Sequence, residues 1–263
     1  YHVRGEKVRG FELLVIVLVL AVSVVFLYAS PIWATGNGCM NCDDWARTPV
    51  RGEYLLENNV WGDKAADICS FAGDDFFGWF WTKRFITGNP VYPEVIYGKK
   101  PWLGKSTTGQ LPRRIGEIRS LALKVDYATV AESYGWYNVL VDVWIAKSGD
   151  PTPDDVTDEI GIFLEVHGSL PEKEMREDLE RGCETVEIGG ATYAYVSGKS
   201  FKWRFHKFYL IGGKPEKLDV MEFVRYLNLS RSLYVASVEF GNEVWFGNGV
   251  TIIKNIEVEV IDP

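Results

Sequence analysis

Histidine is scarce in this 263-residue chain: His2, His167 and His206 stand far apart. None forms a spaced ligand pair, so a zinc site or a Ser-His-Asp triad has no foundation. Glycine-rich phosphate loops of the Walker or dinucleotide-binding type are missing as well. The chain is therefore expected to need no metal and no organic cofactor. No basic block offsets the net charge of −8, which argues against nucleic acid as a partner. Cysteine is limited to Cys39, Cys42, Cys69 and Cys183. Cys39 and Cys42 make a C-x-x-C, but zinc would need a second pair and thioredoxin-type chemistry a βαβ context. One or two disulfides in an oxidising compartment is the simpler reading. A single glutamine, Gln110, is a hint of a thermophilic source.

Carboxylates, amides and aromatic rings remain. The chain holds 10 Trp, 13 Tyr and 14 Phe, which suits either an aromatic-lined groove or a core of large side chains. Its length allows one large all-β domain.

Residues 1–36 stand apart. Arg4, Lys7 and Arg9 precede an apolar run, Leu13 to Ala29, interrupted only by Ser23. Such a run is near the lower limit for a membrane span and longer than the usual core of a cleavable signal. Positive residues in front favour a cytoplasmic N-terminus and export of the chain beyond the run. An uncleaved anchor is preferred to a signal peptide, with residues 37–263 as an extracellular domain that meets the membrane only through this segment. Asn228 opens an Asn-Leu-Ser sequon, a candidate surface glycan site.

Beyond residue 40, period-two patterns dominate. Strands are predicted in "GEYLLENNVWG", "SLALKVDYATV", "YNVLVDVWIA", "EIGIFLEVHG", "TVEIGGATYAYVSG", "FKWRFHKFYLIGG", "SLYVASVEFGNE" and "VTIIKNIEVEVID". Turns are marked by "SGDPTPDD", "EIGG", "GGKP" and "FGNG". One helix is predicted in "EKLDVMEFVRYLNLS", capped by Asp219, and "PEKEMREDLERG" reads as either a short helix or an exposed loop. Many strands with one helix imply an all-β sandwich, a jelly roll of two antiparallel sheets.

The strand faces carry the functional signal. Ile160, Ile162, Leu164 and Val166 form a core face, opposite Glu159, Gly161, Phe163 and Glu165. Val139, Val141, Val143 and Ile145 do the same, opposite Asn138, Leu140, Asp142 and Trp144. Glu239, Gly241 and Glu243 share one parity. Acids on an outer face are ordinary. Three strands that each set an acid beside glycine or an aromatic suit a sugar, whose C–H faces stack on rings and whose hydroxyls need partners. Cleaving a glycosidic bond needs two carboxyl groups, one ionised and one protonated.

At this point the chain resembles glycoside hydrolase family 12, the jelly-roll endo-β-1,4-glucanases, over roughly residues 41–263. The carrying motifs are "NCDDWA", "ENNVWG", "VYPEVIYGKKPW", "DEIGIFLEVHG" and "EFGNEVWFGNG", in the family's order. The resemblance implies a Cys42–Cys69 disulfide, Glu159 as nucleophile, Glu243 as general acid/base and Asp142 as the residue assisting Glu159. It implies sugar contacts from Asn59 and Trp61 and a cleft lined by Trp45, with Trp79 and Trp81 resembling a Trp-x-Trp stretch. Phe163, where Trp is usual, and Trp245 complete the expected substrate-binding set. Gly161 stands where Met is usual, so a locally wider cleft is expected beside the nucleophile. Glu239 reads as a supporting residue or a wet face.

The activity implied is that of a monomeric, retaining endo-β-1,4-glucanase acting on cellulose or related β-glucans. A xyloglucan- or mixed-linkage-specific glucanase or a xylanase on the same architecture is the enzymatic alternative. A non-catalytic glucan-binding module is the alternative from another class.

Overall fold

The two strands expected on either side of Phe246-Gly247-Asn248-Gly249 are one. Residues Tyr234–Ile261 form a single strand, β15, that runs through both layers of the molecule. Gly247, at φ 97°, lies where it leaves one sheet for the other, a conformation that glycine adopts without steric cost. The computed structural model describes residues 39–263 except 62, 64, 65, 201 and 214. The expectation of a membrane anchor in residues 1–36 lies outside the described residues. Among those described, no helix is long and apolar enough to cross a membrane.

The front sheet runs β2 (Arg47–Val50), β3 (Tyr54–Asn59), β6 (Tyr92–Gly98), the first part of β15, β9 (Trp136–Ala146), β10 (Val156–His167), β13 (Trp203–Gly212), β12 (Ala191–Ser200) and β11 (Glu184–Ile188). A short β7 (Arg113–Arg114) also pairs with β15. The back sheet runs β1 (Cys39–Asn41), β4 (Ala66–Ala72), β5 (Phe77–Lys83), the second part of β15, β8 (Ser120–Ala131) and β14 (Leu218–Asp219). The architecture is the expected nearly all-β jelly roll. Among the described strands one pairing departs from an antiparallel pattern: β10 and β13 run parallel, because the helical connection after β10 starts β11 in the same direction as β10, and β11, β12 and β13 then alternate.

Alternation builds the core as the sequence suggests. Val139, Val141, Val143, Ile145, Ile160, Ile162, Val238 and Phe240 are buried in one cluster between the sheets. Each contributes roughly 1.5–3 kcal/mol of apolar burial. At the end of β10 the pattern breaks. A bulge between Phe163 and Glu165 exchanges the faces. Glu165 accepts a hydrogen bond from the Tyr127 hydroxyl of the back sheet, and Val166 joins Phe163 on the front.

Among the described residues there are two α-helices, the predicted one and the segment that reads as either helix or loop. The charged "PEKEMREDLERG" lies in α1 (Ser169–Glu180), whose Met175 and Leu179 pack on Phe163 and Tyr209. The other, α2 (Val220–Tyr226), is capped by Asp219, which accepts from the Met221 backbone N–H at 3.0 Å.

Cys42 and Cys69 are bonded across a sequence separation of 27. Cys183 is a free, exposed thiol, and the Cys39 side chain lies outside the described residues. Closing a loop of that length is worth about 3–4 kcal/mol on the chain-entropy argument. The Cys42→Ser/Cys69→Ser variant should lose that much in urea unfolding. An unchanged denaturation midpoint would show that the bridge has no part in stability.

Candidate active site

The outward face of the front sheet forms a groove of ≈ 460 Å³. Its lining draws on seven neighbouring strands: β2, β3, β6, β15, β9, β10 and β13. At the usual strand spacing of ~4.8 Å they span about 29 Å.

Glu159, Asp142 and Glu243 face it from β10, β9 and β15. One oxygen of Glu159 accepts from the Trp203 indole N–H at 2.5 Å. One oxygen of Glu243 accepts from the Asn138 amide at 2.9 Å. Asp142 lies between them, with Oδ1 buried and without a hydrogen-bond partner. Burial pushes Glu159 up to about 8; the Trp203 N–H opposes this, and the charges of Glu243 and then Glu239 add to it. Glu243 is also raised by burial, with Asn138 and the Lys207 ammonium pulling the other way. Asp142 is held well above the usual range, first by burial and then by the charges of Glu159, Glu239 and Glu243. The trio thus releases its protons at higher pH than separate, solvated carboxylates would.

A second acid cluster adjoins the first. Glu57, Glu94 and Glu239, all buried, surround the ammonium of Lys100. Lys100 is 3.1 Å from Glu57, 3.7 Å from Glu239 and in direct contact with Glu94. Arg47 pairs with Glu57 at 2.6 Å, and Asn59 donates to Glu94 at 2.9 Å. Glu239 is further held by the Ser237 hydroxyl at 2.9 Å and the Trp144 indole N–H at 3.2 Å. Its oxygens are thus occupied from several sides, whereas Glu243 is held through one. Glu57 sits below its ordinary value: burial opposes this, but Lys100 and Arg47 prevail. Glu94 is pushed well above its own by burial and by the charge of Glu239. A cation already occupies the centre, and among the described residues no group of His, Cys, Asp and Glu is placed to hold a metal ion.

Trp45 and Trp61 are exposed and line the groove with Asn59. Both adopt left-handed backbone, φ 61° and 40°, which is costly for a bulky residue and persists only where the surroundings impose it. Asn58 supplies part of that constraint, its amide reaching the carbonyls of Asn41, Asp43 and Ile68. The Asn59 side chain accepts from the Trp61 N–H at 3.0 Å.

The expected roles of Trp79 and Trp81 are corrected. At 0% and 1% exposure, both are core residues between the sheets. Trp81 lies against Gly249, where a Cβ would come within 2.2 Å of the ring. Trp79 donates its indole N–H to Asn242 at 2.8 Å, bracing the residue before Glu243 from behind. Phe163 is also away from the groove, buried against Tyr209 and covered by α1. Trp245 is half-buried, is not part of the groove lining, and keeps its indole nitrogen buried.

The sequence profile of Glycosyl hydrolase family 12 matches residues 52–260. The chain belongs to this family. Endoglucanase S of Pectobacterium parmentieri is 26% identical over 227 residues, covering 79% of this chain and 82% of that protein. A family 12 xyloglucanase from Bacillus licheniformis, solved with a ligand, matches with a TM-score of 0.72 and 26% identity, covering 85% of this chain and 100% of that one. An endoglucanase from Rhodothermus marinus shares the fold at a TM-score of 0.70 and 21% identity, over 86% of this chain and 100% of the other.

This family 12 glycoside hydrolase has site residues that the sequence did not single out. Trp102, Trp144 and Trp203 form an edge-to-face cluster, with centroids 4.9 to 6.0 Å apart, at the Glu159 end of the groove. Two of them supply indole N–H groups to Glu239 and Glu159. The parity of Trp144 with Asp142 was a usable signal. Glu57, Glu94 and Lys100 lie within the motifs that carry the resemblance, yet parity does not show that they meet, because Glu57 comes from β3 and the other two from β6 and the turn after it.

Proposed function

We propose that this family 12 enzyme is a retaining endo-β-1,4-glucanase working by double displacement. Glu159 attacks the anomeric carbon. Glu243 protonates the departing oxygen and then takes a proton from the incoming water. Asp142 is biased toward its protonated form by burial and has no donor at Oδ1, so of the two neighbouring acids it is the poorer carrier of charge and leaves that role to Glu159. The carrying observation is the contrast between the two acid clusters. Glu57, Glu94 and Glu239 are tied to Lys100, while Glu159 and Glu243 each have one oxygen held by a fixed N–H and share the groove face. Endoglucanase S supports internal cleavage of a glucan chain. The disulfide supports an oxidising, extracellular setting.

The likeness to the Bacillus licheniformis xyloglucanase favours a second reading, xyloglucan as the preferred glucan. The test of the main reading is product analysis on soluble β-glucan. Viscosity should fall faster than reducing ends appear, and NMR should show the β-anomer first. First appearance of the α-anomer would rule out double displacement. Binding with no new reducing ends would leave a non-catalytic glucan-binding module.

A further inference from the structure

The cleft beside Glu159 is not widened by Gly161. A Cβ at Gly161 would lie 2.9 Å from Cε2 and 3.2 Å from Cζ of Phe205, and 3.1 Å from Cε2 of Phe163. The space is already filled from the neighbouring strand. In the parallel pairing, Phe205 of β13 stands opposite Glu159, and Lys207 opposite Gly161. The Phe205 ring rests on Gly161. The Lys207 ammonium sits 5.4 Å from its centroid and is itself fixed by Asp178 of α1 at 2.7 Å. Phe205 is half-buried and lines the groove together with Glu159, Trp203 and Leu140.

We infer that Phe205 is a specificity-determining residue, whose ring forms an apolar wall beside Glu159 against which an unsubstituted sugar of a linear β-glucan packs. This rests on the glucanase reading above. The chemistry comes from the neighbours. An aromatic face is electron-rich and attracts the C–H face of a pyranose. Phe205, Gly161 and Leu140 carry no side-chain hydrogen-bond partner. A branching sugar packed on the Phe205 face would bring hydroxyls that lose water against an apolar ring, which offers them no hydrogen bond. The wall therefore selects a bare glucan backbone over a xylose-decorated one at this subsite.

The experiment compares wild type, Phe205→Ala and Phe205→Trp on linear mixed-linkage β-glucan and on xyloglucan, with melting temperatures as a control. Phe205→Ala should raise KM on the linear substrate about fivefold and leave kcat within about twofold, as loss of one stacking contact implies. The ratio of kcat/KM for xyloglucan to that for linear glucan should rise by a similar factor. Phe205→Trp, which retains an apolar ring, should raise KM on the linear substrate less than Phe205→Ala does. Calorimetric binding of a linear cello-oligosaccharide in a Glu243→Gln background should weaken by the same factor with Phe205→Ala. Unchanged KM, ratio and oligosaccharide affinity in Phe205→Ala would overturn the inference and leave Phe205 as packing alone, while the glucanase reading would stand. A wild type that cleaves neither polymer would overturn the glucanase reading instead, and oligosaccharide binding would still judge Phe205. In a further pair, Gly161→Met should lower the melting temperature, and Gly161→Met/Phe205→Ala should recover it. No recovery would show that the two positions do not share a volume.

Discussion

Glu159→Ala is expected to lower kcat/KM on soluble β-glucan by at least about 10⁴-fold, and Glu243→Ala by about 10²–10⁴-fold. An aryl β-cellobioside with a good leaving group separates the roles. Its departure needs no proton, so Glu243→Ala should lose far less on it than on polymer. Glu159→Ala should be equally poor on both. Stability provides a signature that a purely structural role does not predict. Burial holds Glu159 at about 8 in the folded protein, against an ordinary 4.5. Between these values the folded state binds more protons than the unfolded one, so ionising this group costs stability as pH rises. Glu159→Ala should therefore match wild type near pH 4 and melt higher near pH 8. Near-wild-type turnover in either variant would refute the assignment, and a lower melting point at pH 8 would refute the electrostatic account.

Lys100→Met should destabilise the protein by about 3–5 kcal/mol, because it leaves three buried carboxyls without their shared cation. For a chain of this size that is a fall of roughly 10 °C in melting temperature. The loss should depend on pH in a defined sense. Lys100 and Arg47 hold Glu57 below its ordinary value, so wild-type stability from Glu57 is present above that value and fades as pH falls through the lowered one. Without Lys100 burial dominates, and protonation of the cluster becomes stabilising. The gap between variant and wild type should then narrow on acidification. Melts at pH 5 and pH 8 decide the matter, and an equal gap at both would show that the ammonium acts through packing alone.

Much of the fold was legible because alternation is a local property. The valines of β9 and the isoleucines of β10 announced their face, and the structure buries those residues. The acids between them were thereby placed on the other face. Features that depend on partners were harder to read. Phe77, Trp79 and Trp81 alternate as clearly as any strand, yet alternation cannot say which side is the core, and resemblance placed two of them wrongly. Gly161 looked like missing bulk, because the ring that replaces it comes from a strand more than forty residues later in sequence. Lys99 and Lys100 carry no local sign of burial, because lysine is rarely buried unless paired. Only three acids arriving from β3, β6 and β15 make burial of Lys100 tolerable. The Phe246–Gly249 segment has the composition of a hairpin turn and serves instead as a bend within a strand, since both sheets have an open place for the same chain.

That continuous strand has a consequence for how the molecule is assembled. β15 is hydrogen-bonded to β6, β7 and β9 in one layer and to β5 and β8 in the other, and it comes after all of them along the chain. Until it docks, the middle of each sheet is vacant and each half has unpaired edges. Contacts of such wide sequence separation form slowly, because loop closure precedes any gain from pairing. Both layers should consequently fold and open as one cooperative unit. The amides of β15 should exchange with solvent only through global unfolding, so the strand that carries Glu243 should share the slowest exchange rate in the protein.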